Sequence, residues 1–471
     1  MRRLALPLVA ALGLLLAAAP AAHAHAALLT STPPDRGEVA FSPARVTLKF
    51  SEPVELLRRA DVSVVDERGR VVSVGGGRTS PRDASEVVVR LAPALPPASY
   101  TVRYRIVSAD SHIVDGATTF ATGGAALKKP VLGNLEAGPG EASAWSVVAR
   151  FLELVGLGGA LALIAFRRLV WAPAWRWRAR VAPDEGAASL AWFRDRFWTG
   201  FWSLVGVAVV GELAVLVTKT ATSLGSSVPS AFANPNGVYR VFSETRFGTH
   251  FQVRLGLLLV LVAVALWEFL AEPIAEAERG ERRPAGRGGS ATVMAGLLGA
   301  CLVLISSQGH ASQAPGRTLS VADDAIHLVA VCVWTGGLAA LGFVLARLPR
   351  VAPRGTALGA AVLARFSRLA LLAVGAAVVT GTLRAIAELS DPSQLWDTAY
   401  GRSIVIKVTL LCPLAVLAFQ NRRVLAAIAV RGRANRATLR LVSRNARLEL
   451  ALSLGIVLVA SLLVSQVPGR T

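Results

Sequence analysis

The chain has 471 residues, a hydrophobic fraction of 53% and a mean hydropathy of +0.52, too apolar for an ordinary soluble enzyme of this length. Its net charge of +20 would suit nucleic acid, but the arginines cluster in short segments between apolar runs, where they act as topology signals, so nucleic-acid binding is not expected. Cys301, Cys332 and Cys412 all fall in apolar segments, which excludes a disulfide framework in any exported part.

Arg2 and Arg3 form a short basic head, an apolar run follows to Ala19, and Ala22-His23-Ala24 fits the small-x-small cleavage rule. Residues 1–24 are expected to be a signal peptide, and cutting after Ala24 makes His25 the first residue. Two readings of His25 stand at this point. It is an incidental neighbour of a cleavage site, or its new α-amine, with a pKa near ~8, and its imidazole chelate one metal ion as a pair.

Residues 25–123 alternate apolar and polar side chains in "RVTLKFSE" (45–52), "DVSVVDE" (61–67), "EVVVRLA" (86–92) and "SYTVRYRIVS" (99–108), separated by Gly, Pro, Asp and Ser. That pattern predicts an all-β, Ig-like Greek-key sandwich. Within it, "VSADSHIVDG" (107–116) sets Asp110 and His112 two apart, on the same face of an extended strand. Taken alone the pair reads as a surface hydrogen-bonded pair. With the amine and imidazole of a processed His25 it supplies three nitrogens and one oxygen, a set that suits tetragonal Cu(II). A linker rich in Gly, Pro and Glu occupies 124–144.

From 145 to 466 the chain reads as an all-α polytopic membrane domain. About eight stretches of roughly twenty apolar residues are long enough to cross a bilayer, near 145–166, 197–218, 250–271, 290–308, 323–345, 366–388, 403–420 and 447–466. With the sandwich outside, "RRLVWAPAWRWRAR", "ERGERRPAGR", "RLPRVAPR" and "RGRANRATLR" all fall inside, as the positive-inside rule requires. This implies a multi-pass protein of the cytoplasmic (inner) membrane, its N-terminal domain on the periplasmic or extracellular side. The tryptophans in "VWAPAWRW", with Trp198 and Trp202, form an interfacial belt on the inner side.

An internal repeat is visible as well. "TRFGTHFQVRL" (245–255) and "TAYGRSIVIKV" (398–408) share Thr-x-aromatic-Gly and a cation six residues after the glycine, and "GGALAL" (158–163) echoes "GGLAAL" (336–341). Two four-helix halves in the same orientation follow, an arrangement found in transport folds, with a site near the junction of the halves, and in purely structural bundles alike.

Once His23 leaves with the signal, His25, His112, His250, His310 and His327 all lie on the outer side of this topology. His310 and His327, joined by a short outer loop, have two readings: entry ligands, since imidazoles inside spans mark pathways, or structural hydrogen-bonding groups. Asp323 precedes His327 by one helical turn, placed to ligate or to fix the imidazole tautomer, and Asp324 is adjacent. His250 opens the third span. Glu153 and Glu212 lie mid-span and are open to three readings: protonated, paired with Arg150 or Arg384, or part of a cation path. Cys301 and Cys332 read as small buried residues.

The stretch "HAALLTSTPPDRGEVAFSPARVTLKFSEPV" followed by "VSADSHIVDG" closely resembles CopC, the exported copper-binding β-sandwich, across nearly all of residues 25–122. The resemblance implies Cu(II) ligation by His25, Asp110 and His112, with Glu52 of "FSEPV" close to the metal. The chain departs from those members that carry a Met-rich Cu(I) loop, because its only methionines are Met1 and Met294. The membrane part looks like CopD, through "GHA" (309–311), "HLVAVCVWTGGL" (327–338), "RFSRLAL" (365–371), the "TAYG" to Lys407 stretch and "NRR" (421–423). The implied protein is a CopC–CopD fusion that captures external Cu(II) and passes it to an outer-facing membrane site for import. Copper is its cargo, and a chaperone or cuproprotein acceptor is a candidate partner. Sequestration or delivery without import is the alternative. A copper-brace oxidative enzyme is a remote third reading, because Asp110 would occupy a position that oxygen chemistry needs. Nothing resembles a P-loop.

Overall fold

The computed structural model describes residues 26–56, 61–108, 113–132, 144–179, 183–279, 288–308, 317–352, 356–389, 391–431 and 435–463. Among the described residues eight strands come first: β1 (Leu28–Thr32), β2 (Gly37–Val39), β3 (Arg45–Phe50), β4 (Val62–Val65), β5 (Ser73–Thr79), β6 (Glu86–Leu91), β7 (Ser99–Val107) and β8 (Ile113–Thr122). They form two four-stranded sheets, ordered β1-β3-β6-β5 and β2-β8-β7-β4, as the sandwich reading requires. The alternation seen in the sequence is the reason. Val46, Leu48 and Phe50 of β3 and Val87, Val89 and Leu91 of β6 point inward to meet Tyr100, Val102, Tyr104 and Ile106 of β7. Tyr100 fixes the turn before its own strand by donating its hydroxyl to the Pro96 carbonyl at 2.8 Å.

The segment after β8 does not leave the sandwich at once. Lys128 and Val131 donate backbone N–H groups to Ser99 Oγ and Thr101 Oγ1 at 3.1 and 3.0 Å, and Lys128 pairs with Glu67. The first part of the expected linker therefore lies along the outer face of β7, running towards the end of that strand.

Twelve helices follow among the described residues. They are α1 (Ala144–Ala165), joined through a π turn (Phe166–Trp171) to α2 (Ala172–Ala179); α3 (Pro183–Leu224); the short α4 (Val228–Phe232) and α5 (Pro235–Glu244); α6 (Arg246–Arg279); α7 (Gly288–Ser306); α8 (Arg317–Val351); α9 (Thr356–Glu388); the short α10 (Gln394–Asp397); α11 (Ala399–Arg431); and α12 (Arg436–Leu463). Among the described residues, seven helices are long and apolar enough to cross a membrane, one fewer than the eight spans expected. The eighth expected span, 447–466, lies on α12. That helix carries Arg444, Arg447 and Glu449 ahead of its apolar stretch, and residues 464–466 lie outside the described part.

The repeated motifs have the same local structure. Thr245 Oγ1 accepts the Gly248 N–H at 2.9 Å, and Thr398 Oγ1 accepts the Gly401 N–H at 2.9 Å, so each threonine caps a long helix just after a short one. A side chain on either glycine would collide with the preceding helix: a Cβ would lie 2.1 Å from the Phe242 carbonyl oxygen in one half and 2.0 Å from that of Gln394 in the other. The two GG motifs meet where the halves join. A Cβ on Gly158 would lie 2.2 Å from Cys332 Sγ, and one on Gly336 would lie 2.4 Å from Ala162 Cβ. Small residues let α1 and α8 approach closely at this crossing.

The sandwich sits on the first half. Val107 and Ile113 join Ala149 of α1, Val215 and Leu216 of α3, Val241 of α5, and Phe247 and Phe251 of α6 in one apolar cluster. Two charged contacts flank it. The Glu55 carboxylate accepts the Arg246 N–H at 3.2 and 3.3 Å, at the positive end of the α6 dipole. Arg105 lies against Gly225 just beyond α3, at the negative end of that helix. Gly225 has φ +61°, and a Cβ there would be 2.2 Å from Arg105 Nη1.

Candidate metal centre

His25, Asp110 and His112 lie outside the described residues, but the residues that flank them converge. Ala27 donates its N–H to Ser51 Oγ at 2.9 Å and accepts the Ser51 N–H at 2.8 Å, which fixes the chain after His25 beside Ser51 and Glu52. Four residues later Glu55 and Val107 exchange backbone hydrogen bonds of 2.8 and 2.9 Å. The run Ser51–Glu55 thus ties the start of β1 to the end of β7, and Ile113 pairs with Val107 across the β7/β8 ladder. The points from which all three expected ligands leave the fold, together with the half-buried Glu52, occupy one end of the sandwich. It is the end that rests on the membrane helices.

Within the helical domain, His327 of α8 is half-buried and its Nδ1 lies 3.0 Å from Thr380 Oγ1 of α9. Thr380 donates its single hydroxyl proton to the Ala376 carbonyl at 2.7 Å, so it accepts from His327, and Nδ1 carries the proton. The Nε2 lone pair is left for a ligand. Thr380 thus holds the Nδ1 side of the ring from the neighbouring helix. Gly381 makes room for the ring, since a Cβ there would be 3.0 Å from His327 Cε1. Asp324 is buried and ion-paired with Arg384 of α9. His250 of α6 has a similar arrangement, with Nδ1 2.8 Å from the Arg246 carbonyl. His310 lies outside the described residues.

Glu153 and Glu212 are paired, and the principal partner is a residue the sequence reading did not single out. Arg254 of α6 is fully buried, donates to Glu212 through Nε at 3.0 Å and Nη2 at 2.8 Å, and lies 3.3 Å from Glu153. Arg150 pairs with the other Glu153 oxygen at 2.5 Å, and Arg254 Nη1 donates to Gln308 Oε1 at 2.7 Å. Two carboxylates face two guanidinium groups, which compensates the charges without an exogenous cation. The repeat held the signal: Arg254 is the cation six residues after Gly248, matched by Lys407 after Gly401. A mid-span cation requires counter-charges.

A second polar group lies between the last two helices, at a stretch quoted above for the CopD resemblance. Asn421 of α11, in the "NRR" stretch, donates to Glu449 of α12 at 2.5 Å and accepts from Asn445 at 3.0 Å. It sits towards the end of the helices remote from the sandwich. Cys301 lies in the apolar core and Cys332 packs on Gly158. Among the described residues, no three of His, Cys, Asp and Glu converge as a metal-holding group.

Comparison with known proteins matches residues 28–123 to the CopC domain and residues 360–463 to Copper resistance protein D, CopD. The chain is a CopC–CopD fusion. Its CopC domain comprises the strands β1 to β8, and the CopD match covers α9, α11 and α12 with Thr380, Arg384, Lys407, Asn421 and Glu449. The Copper transport protein CutJ of Bacillus subtilis is 26% identical over 399 residues, 84% of this chain and 67% of the relative. Protein YobA of Escherichia coli is 30% identical over 102 residues, 22% of this chain and 82% of the relative. Among solved structures, CopC from Methylosinus trichosporium is 33% identical over 21% of this chain and 93% of its own, with a TM-score of 0.19. PcoC, a copper resistance protein from Escherichia coli, is 26% identical over 20% and 98%, with a TM-score of 0.18. By its two domain matches and its similarity to CutJ, the fusion stands among the copper transport and copper resistance proteins.

Proposed function

We propose that the CopC domain captures external Cu(II) and passes it to the CopD domain for import across the cytoplasmic membrane. Signal cleavage after Ala24 would expose the amine of His25, which together with its imidazole, Asp110 and His112 supplies a tetragonal N/O donor set, with Glu52 close by. The observation that carries this reading is the docking of that end of the sandwich on α1, α3, α5 and α6, so that cargo released there faces the membrane domain and not bulk solvent. His310 and His327 are ligands of the membrane path in this account, and the Thr380 contact presents the Nε2 lone pair of His327. The far ends of the helices carry Arg167, Arg168, Arg347, Arg350, Arg422 and Arg423, which supports an outward-facing sandwich.

The family name of the membrane half, copper resistance, favours a second reading in which copper is held or delivered to another membrane protein without net import. Both readings need the same capture site. It is tested by Cu(II) electron paramagnetic resonance on the CopC domain, comparing a chain that begins at His25 with one carrying an extra residue before it. A nitrogen-rich tetragonal spectrum at one equivalent, degraded by the extra residue, is expected. Identical spectra from the two would remove His25 from the site.

A further inference from the structure

The contact between the domains runs through a continuous set of hydrogen bonds that ends at an imidazole. Val107, at the end of β7, exchanges backbone hydrogen bonds with Glu55, and the Glu55 carboxylate accepts the N–H of Arg246, the first residue of α6. The carbonyl of the same Arg246 lies 2.8 Å from His250 Nδ1. A carbonyl oxygen only accepts, so Nδ1 donates, and the lone pair of the neutral ring resides on Nε2. A backbone carbonyl that fixes the tautomer and orientation of an imidazole is the outer-shell support that metal-binding histidines use.

Two further observations single out this histidine. Arg246, His250 and Arg254 follow one another at i, i+4 and i+8 on α6, so one stripe of the helix meets the sandwich at its first member and the buried Glu212 and Gln308 at its last. His250 stands between them, half-buried. The repeat supplies the second. Thr245, Gly248 and Arg254 have the counterparts Thr398, Gly401 and Lys407, but the position of His250 is taken by the buried Ser403. The imidazole is present only in the half on which the sandwich rests.

We propose that His250 Nε2 is the first ligand of the membrane domain to bind copper leaving the sandwich, upstream of His327, with Glu55 and Arg246 holding it in place. This rests on the reading that the sandwich carries copper. The first-half helices then serve as the receiving side, and the cargo moves afterwards to the second half, where Thr380 orients His327.

The test is a titration with copper(II) chloride of the mature full-length protein in nanodiscs, with the first and second equivalents resolved by electron paramagnetic resonance. Unsubstituted protein is compared with His250→Ala and His250→Asn. The asparagine amide reproduces the donor to the Arg246 carbonyl and lacks the Nε2 lone pair, so it separates a ligand from a structural hydrogen bond. The first equivalent is expected to bind alike in all three, and the second to bind at least tenfold more weakly in both variants. Second-equivalent binding that survives in His250→Asn would overturn the proposal. A first equivalent that fails to bind to the unsubstituted protein would instead overturn the copper-carrying reading beneath it.

Discussion

Glu55 of the sandwich and Arg246 of the membrane domain are joined twice, by backbone N–H to carboxylate hydrogen bonds of 3.2 and 3.3 Å and by an Nε to carboxylate approach of 3.5 Å. The sandwich is thereby held at a defined position against the membrane helices. A fixed donor raises the effective concentration of cargo at the acceptor more than a free tether does, because the linker entropy is already spent.

This contact gives docking a pH dependence. Burial outweighs the influence of Arg246 and holds the Glu55 carboxyl above its ordinary value of 4.5. The docked state binds that proton more tightly than the undocked state, so the contribution to docking is fully present below the ordinary value and is lost as pH rises through the raised one. Glu55→Gln keeps an oxygen acceptor for the Arg246 N–H and is expected to abolish this slope. Hydrogen exchange of the Val107 and Arg246 amides as a function of pH reads it, and an unchanged slope in Glu55→Gln would count against the assignment.

The Arg254 network predicts an asymmetric response to mutation. Arg254→Met leaves Glu153 and Glu212 buried with only Arg150 nearby, which is expected to cost about 3–5 kcal/mol. Adding Glu212→Gln should recover much of that loss. Thermal unfolding in nanodiscs measures both, and a single mutant as stable as the parent would show that the network carries little of the packing between α1, α3 and α6.

Thr380→Val removes the hydroxyl that accepts from His327 Nδ1 while keeping the side chain's volume. Copper movement is expected to fall about tenfold to a hundredfold, the usual effect of losing a group that orients a metal-binding histidine, with little change in melting temperature. Thr380→Ser should retain activity. Equal activity in Thr380→Val and Thr380→Ser would mean that this hydroxyl does not serve the path.

Close helix contact at the glycines is tested by a matched pair. A Cβ on Gly156 of α1 would lie 2.3 Å from the Ala208 backbone nitrogen of α3, so Gly156→Ala must push two helices apart at a cost of about 1–3 kcal/mol. Gly206, on the same α3, has no neighbouring atom within 4 Å of the added carbon, and Gly206→Ala is expected to stabilise by roughly 0.5–1 kcal/mol. The two substitutions should therefore shift the melting temperature in opposite directions.

The sandwich was legible because period-two alternation in 45–52, 86–92 and 99–108 records which face of each strand is buried. The short β2 and the glycine-rich β5 carry no such alternation and emerged only from their pairing with β8 and β6. The spans were legible from their length and apolar composition, and the repeat from Thr245/Gly248 and Thr398/Gly401, whose shared cap geometry explains why those residues recur. Partners were not legible. Glu153 and Glu212 were visible as costly residues, but their pairing with Arg254 depends on how α1, α3 and α6 converge, and the Thr380 contact to His327 spans 53 positions of sequence.

The most direct test of the account is copper flux in proteoliposomes containing the mature full-length protein, with copper(II) chloride supplied on the sandwich side and lumenal copper measured over time. The account predicts accumulation that requires the intact capture site and falls steeply in His112→Ala and in His327→Ala. Accumulation no faster than in protein-free vesicles, while the sandwich still binds its equivalent of copper, would contradict import and leave capture without passage.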